Sequence, residues 1–133
     1  ENQLQDHTRV NRGKILGFRG GAELSKVYAS LDMFVHTGPH ETFCQSAQEA
    51  LASGVPVIAP AAGGLLDLVD HGRTGYLFTP GDARDLAERV GMAASDADRR
   101  LEMGQQARRS VEGRSWNVIG SQLVRHYKEV LAA

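Results

Sequence analysis

A chain of 133 residues and 14.4 kDa is long enough to bury one core and too short for two independently folded domains. Hydrophobic residues at 41% and charged residues at 23% give the balance of a soluble globular chain, and 15 basic against 16 acidic side chains leave no general attraction for nucleic acid or an anionic membrane. Cys44 is the single cysteine, which excludes an internal disulfide and a multi-cysteine zinc site and suits a reducing cytosol.

No uncharged apolar run reaches the roughly 18 residues of a membrane span. Residues 1–13 read as a polar lead-in to a domain over 14–133. Because the chain starts at Glu1, without Met, signal peptide or helix cap, it is expected to be a fragment of a longer protein. Lys14 to Phe18 is expected as a strand running into the Gly20-Gly21 turn. Leu24, Val27, Tyr28 and Leu31 then make the apolar stripe of a helix. Met33 to His36 predicts a second strand, broken by Gly38-Pro39, and Phe43, Ala47, Ala50 and Leu51 mark a second helix. That helix should end at Gly54, with Pro56 just beyond.

Val57 to Ala59 predicts a third strand, Pro60 to Gly64 a loop, and Leu65 to Val69 a helical turn. Thr74 to Phe78 reads as a short edge strand before the Pro80-Gly81 turn. Asp82, Asp96 and Ser115 are placed to cap three closing helices. The last of them aligns Trp116, Ile119, Leu123, Tyr127 and Val130 and is expected to help cover the sheet, with Trp116 as a packing anchor. Strand–helix alternation over the first 60 residues predicts an α/β fold with a parallel sheet and helical crossovers. Ligands bind such sheets beyond the carboxyl ends of the strands. The loops to search are therefore Phe18 to Gly21, His36 to Phe43 and Ala59 to Gly64.

The loop His36 to Cys44 leads straight into a helix, whose free N–H groups and positive dipole end suit a phosphate. The alternative is that Thr42 or Glu41 simply caps that helix. Glu41 and Glu49 would stand about 80° apart on a helical wheel if both were helical. Carboxylates so placed accept hydrogen bonds from vicinal hydroxyls, although two solvated glutamates would have the same spacing. His36, His40 and Cys44 recur every four residues, but Gly38-Pro39 breaks any helix that would align them, so no structural or catalytic metal is expected and Cys44 reads as a packing residue. Gly63-Gly64 permits close backbone approach. Arg99, Arg100, Arg108 and Arg109 form no single stripe and read as a solvated face.

The run from His40 through Glu41, the Phe43-Cys44-Gln45 entrance and Glu49 to Pro60 resembles the Glu-x7-Glu segment of retaining glycosyltransferases of the GT-B fold (family 4). Its wording is closest to their GDP-mannose-dependent α-mannosyltransferase branch and somewhat less close to sulfolipid synthases that use a UDP-sugar. Leu16-Gly17-Phe18, Gly63-Gly64-Leu-Leu-Asp67, the run His71 to Asp82 and the Ser115-Trp116 helix match in the family's order.

The resemblance implies a Rossmann-like, donor-binding C-terminal domain with a helical tail. By the same resemblance, Glu41 is the catalytic candidate and contacts hydroxyls of the donor sugar, while Phe43, Cys44 and Gln45 offer N–H groups to the diphosphate. Glu49 would take the ribose hydroxyls, Gly17, Phe18 and Arg19 would lie beside the base, and Gly63 and Gly64 would line the cleft. The expected function is mannosyl transfer from GDP-mannose to a glycolipid or lipid-linked acceptor, with no cofactor. A UDP-sugar transferase and a non-catalytic nucleotide-binding module are the alternatives. The family's acceptor domain, through which members contact the cytosolic membrane face, and an earlier segment carrying an Arg and a Lys for the diphosphate have no counterpart in this sequence. The chain alone is therefore expected to be inactive.

Overall fold

The computed structural model describes residues 13–132. In chain order it holds α1 (Gly21–Ala29), β1 (Phe34–Val35), α2 (Gln45–Ala52), β2 (Val57–Pro60), α3 (Leu65–Leu68), β3 (Gly75–Phe78), α4 (Ala83–Ser95), α5 (Ala97–Val111) and α6 (Trp116–Leu131). The sheet runs in the order β1-β2-β3 and both pairs are parallel, with Phe34 opposite Val57 and Val57 opposite Gly75. The expected α/β class is therefore present, with β2 central and buried throughout.

The two-residue period of the strands sorts their side chains into two layers. Val57 and Ala59 of β2, Phe34 of β1 and Leu77 of β3 face α1, α2 and the end of α5, where Tyr28, Ala47, Ala50, Leu51, Ala107 and Val111 lie. Ile58, Tyr76 and Phe78 face the other way, against Leu86, Val90 and Ala93 of α4 and Met103 of α5. Fully buried side chains such as Leu51, Ile58 and Leu65 each contribute about 1.5–3 kcal/mol.

Two glycines set the approach of these layers. A Cβ on Gly75 would lie 1.8 Å from the Val57 carbonyl oxygen, and one on Gly104 would lie 2.2 Å from that of Gly54. The second contact brings α5 onto the C-terminal turn of α2. There Gly54, at φ 75°, closes the helix with Gly54 N–H donating to Leu51 O and Val55 N–H to Ala50 O.

Several expectations need correction. Lys14 to Phe18 forms no strand: Gly17 at φ 68° leaves the extended region, no ladder bond joins the segment to β1, and its side chains are exposed, Phe18 at 93%. The last helix does not cover the sheet. It buries no residue, and Trp116 is 81% exposed instead of anchoring a contact. Arg99 and Arg100 are not merely solvated. Arg99 donates to Gly72 O, and Arg100 donates to Ala93 O and Ala94 O at 2.8 Å, closing the C-terminal end of α4. The lead-in over 1–13 lies outside the described residues except for residue 13.

Candidate functional site

Two of the three loops singled out from the sequence, those after β1 and β2, emerge at the carboxyl end of the sheet, whereas Phe18 to Gly21 follows no strand. His36 follows β1 directly, and its N–H donates to Ile58 O at 2.9 Å. The chain then crosses Gly38-Pro39 and reaches Glu41, Thr42, Phe43 and Cys44 before α2 begins at Gln45. Neither Thr42 nor Glu41 caps this helix. The N-cap position is Cys44, whose backbone sits at φ 46° and ψ 70° and whose side chain takes no hydrogen bond from the first turn. A non-glycine residue in the left-handed region is uncommon and strained by about 1–2 kcal/mol, a condition often found beside functional groups. Among the described residues, the N–H groups of Phe43, Cys44 and Gln45 meet no protein acceptor, and α2 has no acidic residue in its first turn. This entrance thus keeps its donors and its positive dipole end open to an anion.

The Gly63-Gly64 loop lies directly on this entrance. Gly64 N–H donates to Glu41 O at 2.8 Å. A Cβ on Gly63 would stand 2.3 Å from Glu41 O, and one on Gly64 would stand 2.1 Å from Thr42 O. Both glycines are needed to seat one loop on the backbone of the other.

Glu41 is not helical, so the helical-wheel relation between Glu41 and Glu49 does not apply. Its carboxylate turns back toward the strand end, where Oε1 stands 3.5 Å from His36 Nε2. Cys44 is buried, as expected for a packing residue, and its Sγ lies 3.6 Å from Ser46 Oγ. Glu49 points elsewhere, to a groove of about 350 Å³ between α1 and α2 that Gly21, Leu24, Ser25 and Tyr28 also line. Gln45 Nε2 donates to Glu49 Oε1 at 3.4 Å. Burial pushes the Tyr28 phenol above its ordinary pKa, and the Glu49 carboxylate beside it adds to the shift. Gly17, Phe18 and Arg19 are exposed and do not line this groove, although Arg19 precedes Gly21, one of its lining residues, by two positions.

Sequence reasoning missed one neighbour of these candidates and misjudged the setting of another. Tyr28 reads as one member of an apolar stripe, and only the packing of α1 on α2 sets it beside Glu49. His36 reads as part of the His36 to Phe43 loop and of a helical spacing with His40 and Cys44, and the structure sets it instead beside Glu41 and Cys44 at the carboxyl end of β1. A wider cavity of about 420 Å³ lies away from these loops, between Asp67, Asp70, Arg73, Ser110 and Arg114, and there Arg73 is paired to Asp70 at 3.1 Å.

A parallel sheet between two helical layers defines a Rossmann-like α/β domain. The profile of the family described as "Glycosyl transferases group 1" matches residues 1–110, and the chain belongs to that family. It is 50% identical over 115 residues to a GDP-mannose-dependent alpha-mannosyltransferase of Mycobacterium tuberculosis, covering 86% of this chain and 30% of that protein. The sulfoquinovosyl transferase SQD2 of Arabidopsis thaliana is 39% identical over 99 residues, 72% of this chain and 19% of that protein.

Among solved structures, sucrose-phosphate synthase of Thermosynechococcus elongatus superposes with a TM-score of 0.86 at 27% identity, covering 98% of this chain and 34% of that one. Anabaena HepE in complex with UDP gives 0.81 at 29% identity, covering 96% and 36%. This chain therefore spans about 30% of the length of the mycobacterial relative. No helix among the described residues is long and apolar enough to cross a membrane.

Proposed function

We propose that this chain binds the nucleotide-sugar donor of a retaining glycosyltransferase, that the donor is GDP-mannose, and that the complete enzyme passes mannose to a glycolipid or lipid-linked acceptor. The observation that carries this reading is the uncapped entrance of α2, open at Phe43, Cys44 and Gln45 and flanked by Glu41 and Glu49. In a retaining transfer, negative charge builds on the leaving diphosphate while the sugar becomes oxocarbenium-like. Fixed N–H donors and a helix dipole aimed at that charge stabilise it without reorganising.

Glu41, at the mouth of the entrance, accepts hydroxyls of the donor sugar. Glu49, held by Gln45 and facing the Tyr28 groove, accepts the ribose hydroxyls. Gly17, Phe18 and Arg19 border the base. Gly63 and Gly64 hold the cleft wall against the Glu41 backbone. Relatives at 46–52% identity named as GDP-mannose-dependent alpha-mannosyltransferases support the choice of donor. The acceptor is bound by a further domain of the enzyme, which acts in the cytoplasm at the inner membrane face. Residues 14–133 form the donor-binding unit and do not turn over alone.

Titrating GDP, GDP-mannose, UDP and UDP-glucose into isotopically labelled protein tests this reading. Amide shifts should concentrate at Phe43 to Gln45 and Gly17 to Arg19, with GDP preferred. Glu49→Ala should weaken GDP and GDP-mannose alike by roughly tenfold to a hundredfold, the equivalent of about 1.5–3 kcal/mol for hydrogen bonds to a charged group. Glu41→Ala should remove only the extra affinity of GDP-mannose over GDP. Equal effects of the two changes on both ligands would overturn the assignment. Structures of HepE with UDP and with UDP-glucose favour a second reading, a UDP-sugar donor, and tighter binding of UDP-glucose would establish it.

A further inference from the structure

The Gly38-Pro39 turn that rules out a helical metal motif has another consequence. It folds the loop back so that His36, Glu41 and Cys44 converge, with one ligand atom of each within 4.8 Å of the others. We propose that these three side chains form a site for a borderline-soft divalent cation of the Zn²⁺ class, and that the ion competes with the donor sugar.

The donor set is one imidazole nitrogen, one carboxylate oxygen and one thiol, the mixture that selects zinc-like ions over Mg²⁺ or Ca²⁺. Tetrahedral zinc with bonds of about 2.0–2.3 Å holds its ligand atoms about 3.3–3.7 Å apart. His36 Nε2 and Glu41 Oε1 already stand at 3.5 Å. Closing the two sides that end on Cys44 Sγ, each within 4.8 Å, requires shifts of at most about 1 Å, within reach of a side-chain rotation. His36 Nε2 is buried and has no hydrogen-bond partner among the described residues, since the Glu41 contact is too loosely aligned to count as one. A side chain on Gly38 would crowd that nitrogen, with its Cβ at 3.1 Å; glycine leaves it free. His40, the other histidine of the four-residue spacing, is exposed and outside the cluster.

Binding replaces the thiol S–H bond by an S–Zn bond and releases the proton to solvent. Three protein ligands leave a fourth position for water. The ion occupies the Glu41 carboxylate and leaves Glu49, at the nucleotide end, untouched. That competition rests on the sugar-binding role proposed for Glu41, whereas the metal site itself does not.

The test uses the full 133-residue chain without a polyhistidine tag. Co²⁺ should produce a near-ultraviolet thiolate-to-metal charge-transfer band that is absent in Cys44→Ser. Calorimetric Zn²⁺ titration should show affinity at least tenfold weaker in Cys44→Ser and in His36→Gln, unchanged in His40→Gln, and no displacement by Mg²⁺. Circular dichroism verifies that each variant is folded, and His36→Gln serves if Cys44→Ser is not. No cobalt band in the unmodified chain, or full zinc affinity in His36→Gln, would overturn the site. Zinc should also remove the affinity advantage of GDP-mannose over GDP while leaving GDP binding unchanged. Tight zinc binding with that advantage intact would keep the site and overturn the competition.

Discussion

The entrances of α2 and α5 differ in one detail that separates the proposed donor site from a structural joint. At α5, Asp96 stands at the N-cap and its Oδ1 accepts the Arg99 N–H at 2.8 Å, with Asp98 in the first turn facing the dipole. Asp82 does the same for α4, taking the N–H groups of Arg84 and Asp85. At α2 the cap position holds a strained Cys44, no side chain answers the first turn, and no acidic residue offsets the dipole. A helix whose donors are satisfied internally contributes stability. One whose donors stay open at the end of a parallel strand gives up that stabilisation and keeps an anion site.

The contrast breaks most severely at the loop seated on α2. Gly64→Ala sets a methyl group 2.1 Å from Thr42 O, a backbone atom that must move. Donor binding should fall more than tenfold, and the domain should lose about 1–3 kcal/mol as the two loops separate. Nucleotide titration and chemical denaturation read the two effects together. An unchanged affinity would mean that the loop contact does not shape the cleft.

Asp96→Ala acts at the opposite kind of entrance. Removing this cap should cost about 1 kcal/mol of stability and leave nucleotide affinity unaltered. Loss of affinity in a folded Asp96→Ala variant would erase the distinction between the two helix starts.

A pair of changes at Cys44 isolates the strain. Cys44→Gly and Cys44→Ala both remove the buried thiol, but only glycine adopts φ 46° without penalty. The glycine variant should be about 1 kcal/mol more stable than the alanine variant in denaturant melts. Equal stabilities would show that the left-handed backbone costs nothing here.

The smallest effect is a pH dependence on the structural side. The N–H and hydroxyl of Thr79, at 2.7 and 3.0 Å, and then Arg89 hold the Asp85 carboxyl below the ordinary aspartate pKa. A carboxyl with a lowered folded-state pKa contributes stability that is present above the unfolded value of about 3.9 and lost as pH falls through the folded one. Acid melts should therefore steepen below about pH 4, and Asp85→Asn should flatten that limb. An identical acid limb in the variant would remove Asp85 from the account.

Much of this was readable from the residue pattern, and the part that was not has a common cause. The caps at Asp82, Asp96 and Ser115, the terminating Gly54 and the strands at Phe34, Val57 and Gly75 are local or periodic signals, and each sits where the pattern placed it. Lys14 to Phe18 carries a strand's composition without a partner, and a strand is defined by its partner. The stripe of the last helix has the right period, yet Trp116 and Leu123 stay exposed, because periodicity marks an apolar face without stating what covers it.

By itself the sequence determined the α/β class and the helix that Gln45 begins, with Glu41 and Cys44 before it and Glu49 within it. Only the tertiary structure decided that this start is uncapped, that Gly63 and Gly64 press on the Glu41 and Thr42 backbone, and that Tyr28 meets Glu49 while His36 meets Glu41 and Cys44. Spacing along a chain fixes direction only inside a regular helix or strand. Through the turn at Gly38-Pro39 direction is set by what packs against the loop, and that is known only once the sheet has assembled.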